Sequence, residues 1–242
     1  MIEVEPTTLI DTRKQLHWAS QLLSAAADAT LEKADDDSHS NLGWDAVANK
    51  LAGRSGCDID VVPFDLRFGD RSLSLAGRTL SDSLDWLSEK IGSPLTLRDY
   101  DMPDHAVAKG EPFAPHNEHL VAIAEWFSLA QKSLAGNGEI RIWPHHFDMG
   151  FWSPAEVEGR SVGGGFSLGD GNYDQPYFYI NPYGIDKPES LPHLGVGNWT
   201  KHWFGAVITA DELASSSNTA DTASQFVQVA IEICRQMISE SK

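Results

Sequence analysis

The stretch that decides the fold is IRIWPHHFDMG (140–150), joined after a short linker by GGGFSLGDGNYDQPYFYINPY (163–183). Its hydrophobic period breaks into strand-like pieces at 139–149, 161–168 and 176–182, and a fourth piece lies at 203–209. The third is the plainest. Tyr177, Tyr179 and Asn181 fall on one side of an extended chain and Phe178 and Ile180 on the other, because successive side chains point to opposite faces. Strands grouped in this way, rather than alternating with helices, predict an α+β fold with mostly antiparallel sheet.

Helical patterns frame the strands. Leu120, Ile123, Phe127, Ala130 and Leu134 predict a helix over 115–135 closed by Gly136, and Phe226, Ala230, Ile233 and Met237 predict one over 221–239. Upstream, Leu16, Ala19, Leu23, Ala26 and Thr30 give helical spacing within 8–31. Phe64, Leu66 and Phe68, the turn Gly69-Asp70, then Leu73 and Leu75 predict a hairpin over 61–76. Thr79 with Asp82 forms a capping box before the stripe Leu80, Leu84, Leu87 and Ile91, which Gly92 ends. The acidic EKADDDSHSN (32–41) reads as an exposed loop. The connection 98–113 is the only plausible boundary, and its composition is not that of a linker. The expectation is one domain, 1–242, with sub-regions 1–97 and 114–242 and a C-terminal sheet packed by the two long helices.

Charge limits the partners. Eighteen basic against 35 acidic side chains give −17, which repels phosphate backbones and anionic lipid surfaces, so neither nucleic acid nor a membrane is expected. Hydrophobic residues, at 41%, suffice for a sizeable core, yet no apolar run approaches the roughly 20 residues of a membrane span. The acidic N-terminus lacks the order of a secretory signal, and two cysteines are too few for a disulfide framework; a cytoplasmic location is expected.

The chemistry-bearing residues concentrate in 140–183. In an extended segment His146 and Asp148 would point to one side, and with His193 or His202 they would offer the two-histidine, one-carboxylate face that holds iron, zinc or manganese. Without a metal, His146 would serve as general base, oriented by Asp148, whose charge would raise its pKa. Asp170 would complete the polar centre. Trp143, Tyr177, Tyr179 and Trp203 are the expected substrate contacts, since phenols and indoles combine an apolar body with a hydrogen-bonding tip.

Other matches fail on context. Gly165-Phe166-Ser167-Leu168-Gly169 fits the nucleophile elbow G-x-S-x-G, but a turn and a strand come after Gly169, where the elbow needs a helix. Asp170-Gly171-Asn172-Tyr173-Asp174 begins like a calcium loop, then places Gln175 at the required glycine and Asn181 at the required glutamate. His116 and His119 flank Glu118 in an order that matches no zinc-protease motif. Gly163-Gly164-Gly165 lacks the Lys-Ser/Thr of a phosphate loop.

The pieces Trp143-Pro144, His146-Phe147-Asp148, Gly165, Ser167, Gly169-Asp170, Pro176-Tyr177, Tyr179, Trp199, Trp203 and Gly205-Ala206 together resemble a family of bacterial proteins of unknown activity. That family's pattern is roughly W-P-x-H-F-D, G-x-S-x-G-D, E-P-Y-x-Y and a Trp-rich piece ending in G-A. Gln175 stands where the pattern carries an acid. The resemblance implies a shared site in the C-terminal half and no mechanism. These residues support two functional readings: a small-molecule enzyme with a His/Asp/Tyr pocket, or a non-catalytic module that binds a small ligand or partner protein through Trp152, Trp199 and Trp203.

Overall fold

The computed structural model describes Ile2 and Val4–Ser241. The chain condenses into two compact units, one of residues 2, 4–128 and 141–147, the other of residues 129–140 and 148–241. Helices and antiparallel sheets are segregated along the chain, as an α+β fold requires. Among the described residues, no helix is long and apolar enough to cross a membrane.

The first unit is built around α1 (Ile10–Thr30), which is buried on nearly every side from Thr12 to Ala27. A helix so enclosed must have partners for its polar side chains. Gln21 Nε2 donates to the Pro144 carbonyl at 2.7 Å, and Gln15 Oε1 accepts from the Ala114 amide at 2.7 Å. The connection 98–113 lies wholly inside this unit and runs back along α1. Arg98 pairs with Asp28, Trp18 Nε1 donates to Pro103 O at 2.9 Å, and the His116 amide reaches Thr12 Oγ1 at 3.3 Å. These bonds replace the ladder that an irregular segment lacks.

A five-stranded antiparallel meander comes after α1: β1 (Gly43–Asp45), β2 (Lys50–Ala52), β3 (Cys57–Asp60), β4 (Asp65–Phe68) and β5 (Arg71–Ser74). Its last two strands are the hairpin that the sequence predicts. α2 (Leu80–Ile91) opens on the Thr79–Asp82 capping box, with both reciprocal bonds present, and Gly92 closes it at φ 77°. The short β6 (Arg141–Trp143) joins this unit through the antiparallel bridge Leu42↔Ile142. α3 (Asn117–Leu134) carries the chain from the first unit into the second.

In the second unit β7 (Asp148–Pro154), β8 (Ser161–Ser167), β9 (Tyr177–Tyr183), β10 (Asn198–Trp199) and β11 (Ala206–Thr209) form antiparallel neighbours in the order β10-β11-β9-β8-β7. α4 (Ala210–Ala214) is short, and α5 (Thr219–Glu240) packs on β8, β9 and β11 through Phe226, Val227, Ala230 and Cys234. Phe166 and Phe178, with rings 5.0 Å apart, belong to the same sheet face as Phe151 and Ile180. The opposite face carries Asp148, Trp152, Tyr177, Tyr179, Asn181 and Tyr183.

Candidate functional site

Pro144 ends β6, and residues 144–147 form a turn in which the Phe147 amide bonds to the Trp143 carbonyl at 2.6 Å and Phe147 takes φ 57°. The alternation expected of His146 and Asp148 in an extended segment therefore does not hold. Phe147 packs inward against His17, their rings nearly parallel with centroids 5.0 Å apart. His146 is exposed and its ring lies 4.2 Å from that of His145, which leans on Tyr100 and Trp143. Burial and the neighbouring His146 lower the pKa of His145. His146 and Trp143 belong to the first unit, whereas Asp148, Asp170, Tyr177, Tyr179 and Trp203 belong to the second.

Those second-unit residues do gather. Tyr179 donates its phenol proton to Asp148 Oδ2, and Tyr177 donates to Asp170 Oδ2 at 2.6 Å. The two phenol rings are 6.1 Å apart. Burial first, and the facing carboxylates second, push both phenol pKa values upward, so each tyrosine stays protonated and acts as a donor. Asp170 is itself fixed by a turn: its Oδ1 accepts from the amides of Asn172 at 2.7 Å and Tyr173 at 3.0 Å. The segment that begins like a calcium loop is this self-capped turn. Ser167, at the end of β8 with no helix after it, accepts from the Gly169 amide at 3.0 Å.

The glycine run explains how the tyrosines lie. Tyr179 is paired with Gly165, and Gly165 with Gly150, so the phenol spans β8 to reach Asp148 on β7. A Cβ on Gly165 would stand 2.6 Å from Tyr179 Oη and 2.8 Å from its Cζ, and would also meet the Met149 carbonyl. One Cβ on Gly163 would stand 2.8 Å from the Tyr183 ring, and Gly164 leaves room on the other face for Ile180 and Phe151. Each glycine admits a neighbouring side chain across the central strand.

Beside the two pairs, aromatic rings continue along the same face. Tyr173 lies 4.9 Å from Tyr177, 5.4 Å from His202 and 6.0 Å from Trp203, ring to ring. Tyr173 Oη donates to Thr200 Oγ1 at 2.8 Å, and Trp203 Nε1 donates to Asn181 Oδ1 at 2.8 Å. A cleft of about 330 Å³ opens here, lined by Tyr173, Asn198, Trp199, Thr200, His202 and Glu212 among others. Gln175, where the resemblance carries an acid, exchanges two bonds with Asp211: Nε2 donates to Oδ2 at 2.7 Å and Oε1 accepts the amide at 2.8 Å. An amide can both donate and accept here, which an ionised acid cannot.

The expected metal set does not assemble. Among the described residues no group of three His, Cys, Asp or Glu side chains is placed to hold a metal ion. His193 Nδ1 accepts from the Gly195 amide at 3.1 Å within its own turn, and His202 lies among aromatic rings. Sequence reasoning passed over Tyr173 and Tyr183, whose rings belong to the aromatic face. The glycine run, with Gly165 opposite Tyr179 and Gly163 beside the Tyr183 ring, was the available signal for Tyr183. Comparison of the chain with protein-family models, curated proteins and solved structures finds no match.

Proposed function

We propose that the second unit is a non-catalytic binding module that holds a small polar organic molecule in the cleft beside Tyr173 and Trp199. The observation that supports this most is the pairing of the phenols and carboxylates with one another, while the concave surface lies next to them. Tyr177 is only 4% exposed, so its phenol is closed to a substrate. The cleft combines Tyr173 and Trp199 with polar side chains, and its volume is at the lower end of the roughly 300–1,000 Å³ usual for small-molecule pockets. Glu212 is already occupied by the Thr209 cap and by Asn198 Nδ2 at 2.5 Å, leaving Asn198 Oδ1, Lys201 and His202 as polar contacts for a ligand.

Ligand-observed NMR with monosaccharides, amino acids and nucleosides tests the reading. Binding by the wild type should weaken at least roughly tenfold in Trp199→Ala and persist in Trp143→Ala. Compounds that bind Trp199→Ala as well as the wild type would place the site elsewhere. The enzyme reading keeps one favourable observation, the two protonated phenols beside carboxylates, and would require a substrate to displace Tyr173 or Trp203 to reach them.

A further inference from the structure

The cleft is one end of a longer aromatic track. Trp203 Nε1 bonds to Asn181 Oδ1, Asn181 Nδ2 donates to Tyr183 Oη at 3.3 Å, and the Tyr183 ring packs on that of Trp152 with centroids 4.9 Å apart. Gly163, between them on β8, has no Cβ to hold the two rings apart. From the β7 tryptophan to the β10 edge the track crosses four strand spacings, roughly 19 Å.

We propose that this track binds an uncharged oligosaccharide, with one sugar ring on Trp152 and Tyr183 and the chain running toward the cleft; the proposal rests on the binding reading above. Trp152 is 57% exposed and Tyr183 41% exposed. With large aromatic side chains covering about 150–250 Å² each, that leaves on the order of 200 Å² of open ring surface. A stable protein interface needs about 800 Å² from each partner, so the patch is far too small for one. It suits a single saturated ring with an apolar C–H face and a hydroxyl rim. The polar groups stand where a rim needs them: the Asn181 amide and the Tyr183 hydroxyl beside the ring faces, and His202 further along. The net charge of −17 opposes polyanionic chains, which selects neutral sugars over acidic ones.

Isothermal titration with β-1,4-glucose, β-1,4-N-acetylglucosamine and α-1,4-glucose series, from monosaccharide to hexasaccharide, decides the matter. In at least one series the hexasaccharide should bind roughly tenfold tighter than the monosaccharide. Trp152→Ala should abolish that gain. Tyr183→Ala gives an independent check, and the exposure of both side chains keeps these variants folded. Affinity independent of chain length, a gain that survives both variants, or no sugar binding at all would overturn the proposal. A non-sugar ligand bound by the wild type and lost in Trp199→Ala would then leave the cleft reading standing. Loss of both would remove that reading too.

Discussion

Gly165→Ala tests the account of the glycine run most directly. The added methyl would lie 2.6 Å from Tyr179 Oη and 2.8 Å from Cζ, with the Met149 carbonyl on its other side. The backbone of a central strand cannot retreat, so the phenol must swing off Asp148. Overpacking of this kind costs about 1–3 kcal/mol. Losing a hydrogen bond to a charged carboxylate adds about 1.5–3 kcal/mol. Together they amount to roughly 3–6 kcal/mol, a fall in Tm on the order of 10 °C for a chain of this size. The assay is chemical denaturation of a double-mutant cycle with Tyr179→Phe. In the Tyr179→Phe background the hydroxyl is already gone, so Gly165→Ala should cost only the overpacking, about 1–3 kcal/mol. Equal cost in both backgrounds would refute the claim that the glycine exists to admit the phenol.

Three further outcomes are expected. His17 is buried, donates Nε2–H to the Pro144 carbonyl at 2.8 Å, and has its pKa lowered from 6.5 to about 4, first by burial. Between those two pH values the unfolded chain binds a proton that the folded chain does not, so stability falls as pH drops, by about 3 kcal/mol in all; denaturation midpoints of His17→Gln should lack that part of the slope. Arg98→Met strips the guanidinium from Asp28, where burial acts to raise the carboxyl pKa but Arg98 and His39 together bring it below its ordinary value. It should destabilise by about 1.5–3 kcal/mol at neutral pH, with the loss shrinking in acid as Asp28 protonates, read from denaturation at several pH values. Elemental analysis of wild type and His146→Ala should show the same metal content, because no third ligand is placed near His146 among the described residues; stoichiometric metal lost in the variant would restore the metal centre.

The amphipathic helices were legible because their period is local. α2 starts on its capping box and ends at Gly92, and α3 and α5 fall within a few residues of the predicted bounds. β8 and β9 were equally plain, since Tyr177-Phe178-Tyr179-Ile180-Asn181 alternates without interruption. The strands β1 to β3 were not, because segments of three or four residues hold too few side chains to establish a period and these lack the two-residue turn, Gly69-Asp70, that marks β4 and β5. Pro144 was a readable warning that 139–149 could not be one strand, and it is where the strand breaks.

The sequence by itself determined the α+β class, the sheet face that carries the tyrosines, and the strongly negative net charge. All three depend on residue spacing or on sums over composition, which no tertiary arrangement can alter. Only the tertiary structure decided which side chains meet. The Tyr179–Asp148 pair joins residues 31 positions apart across a strand of glycines, and the division of the chain assigns His146 and Asp148, two residues apart, to different units. Proximity in sequence fixes side-chain direction only while the backbone keeps one conformation, and the turn at 144–147 contains His146 and ends where the strand of Asp148 begins.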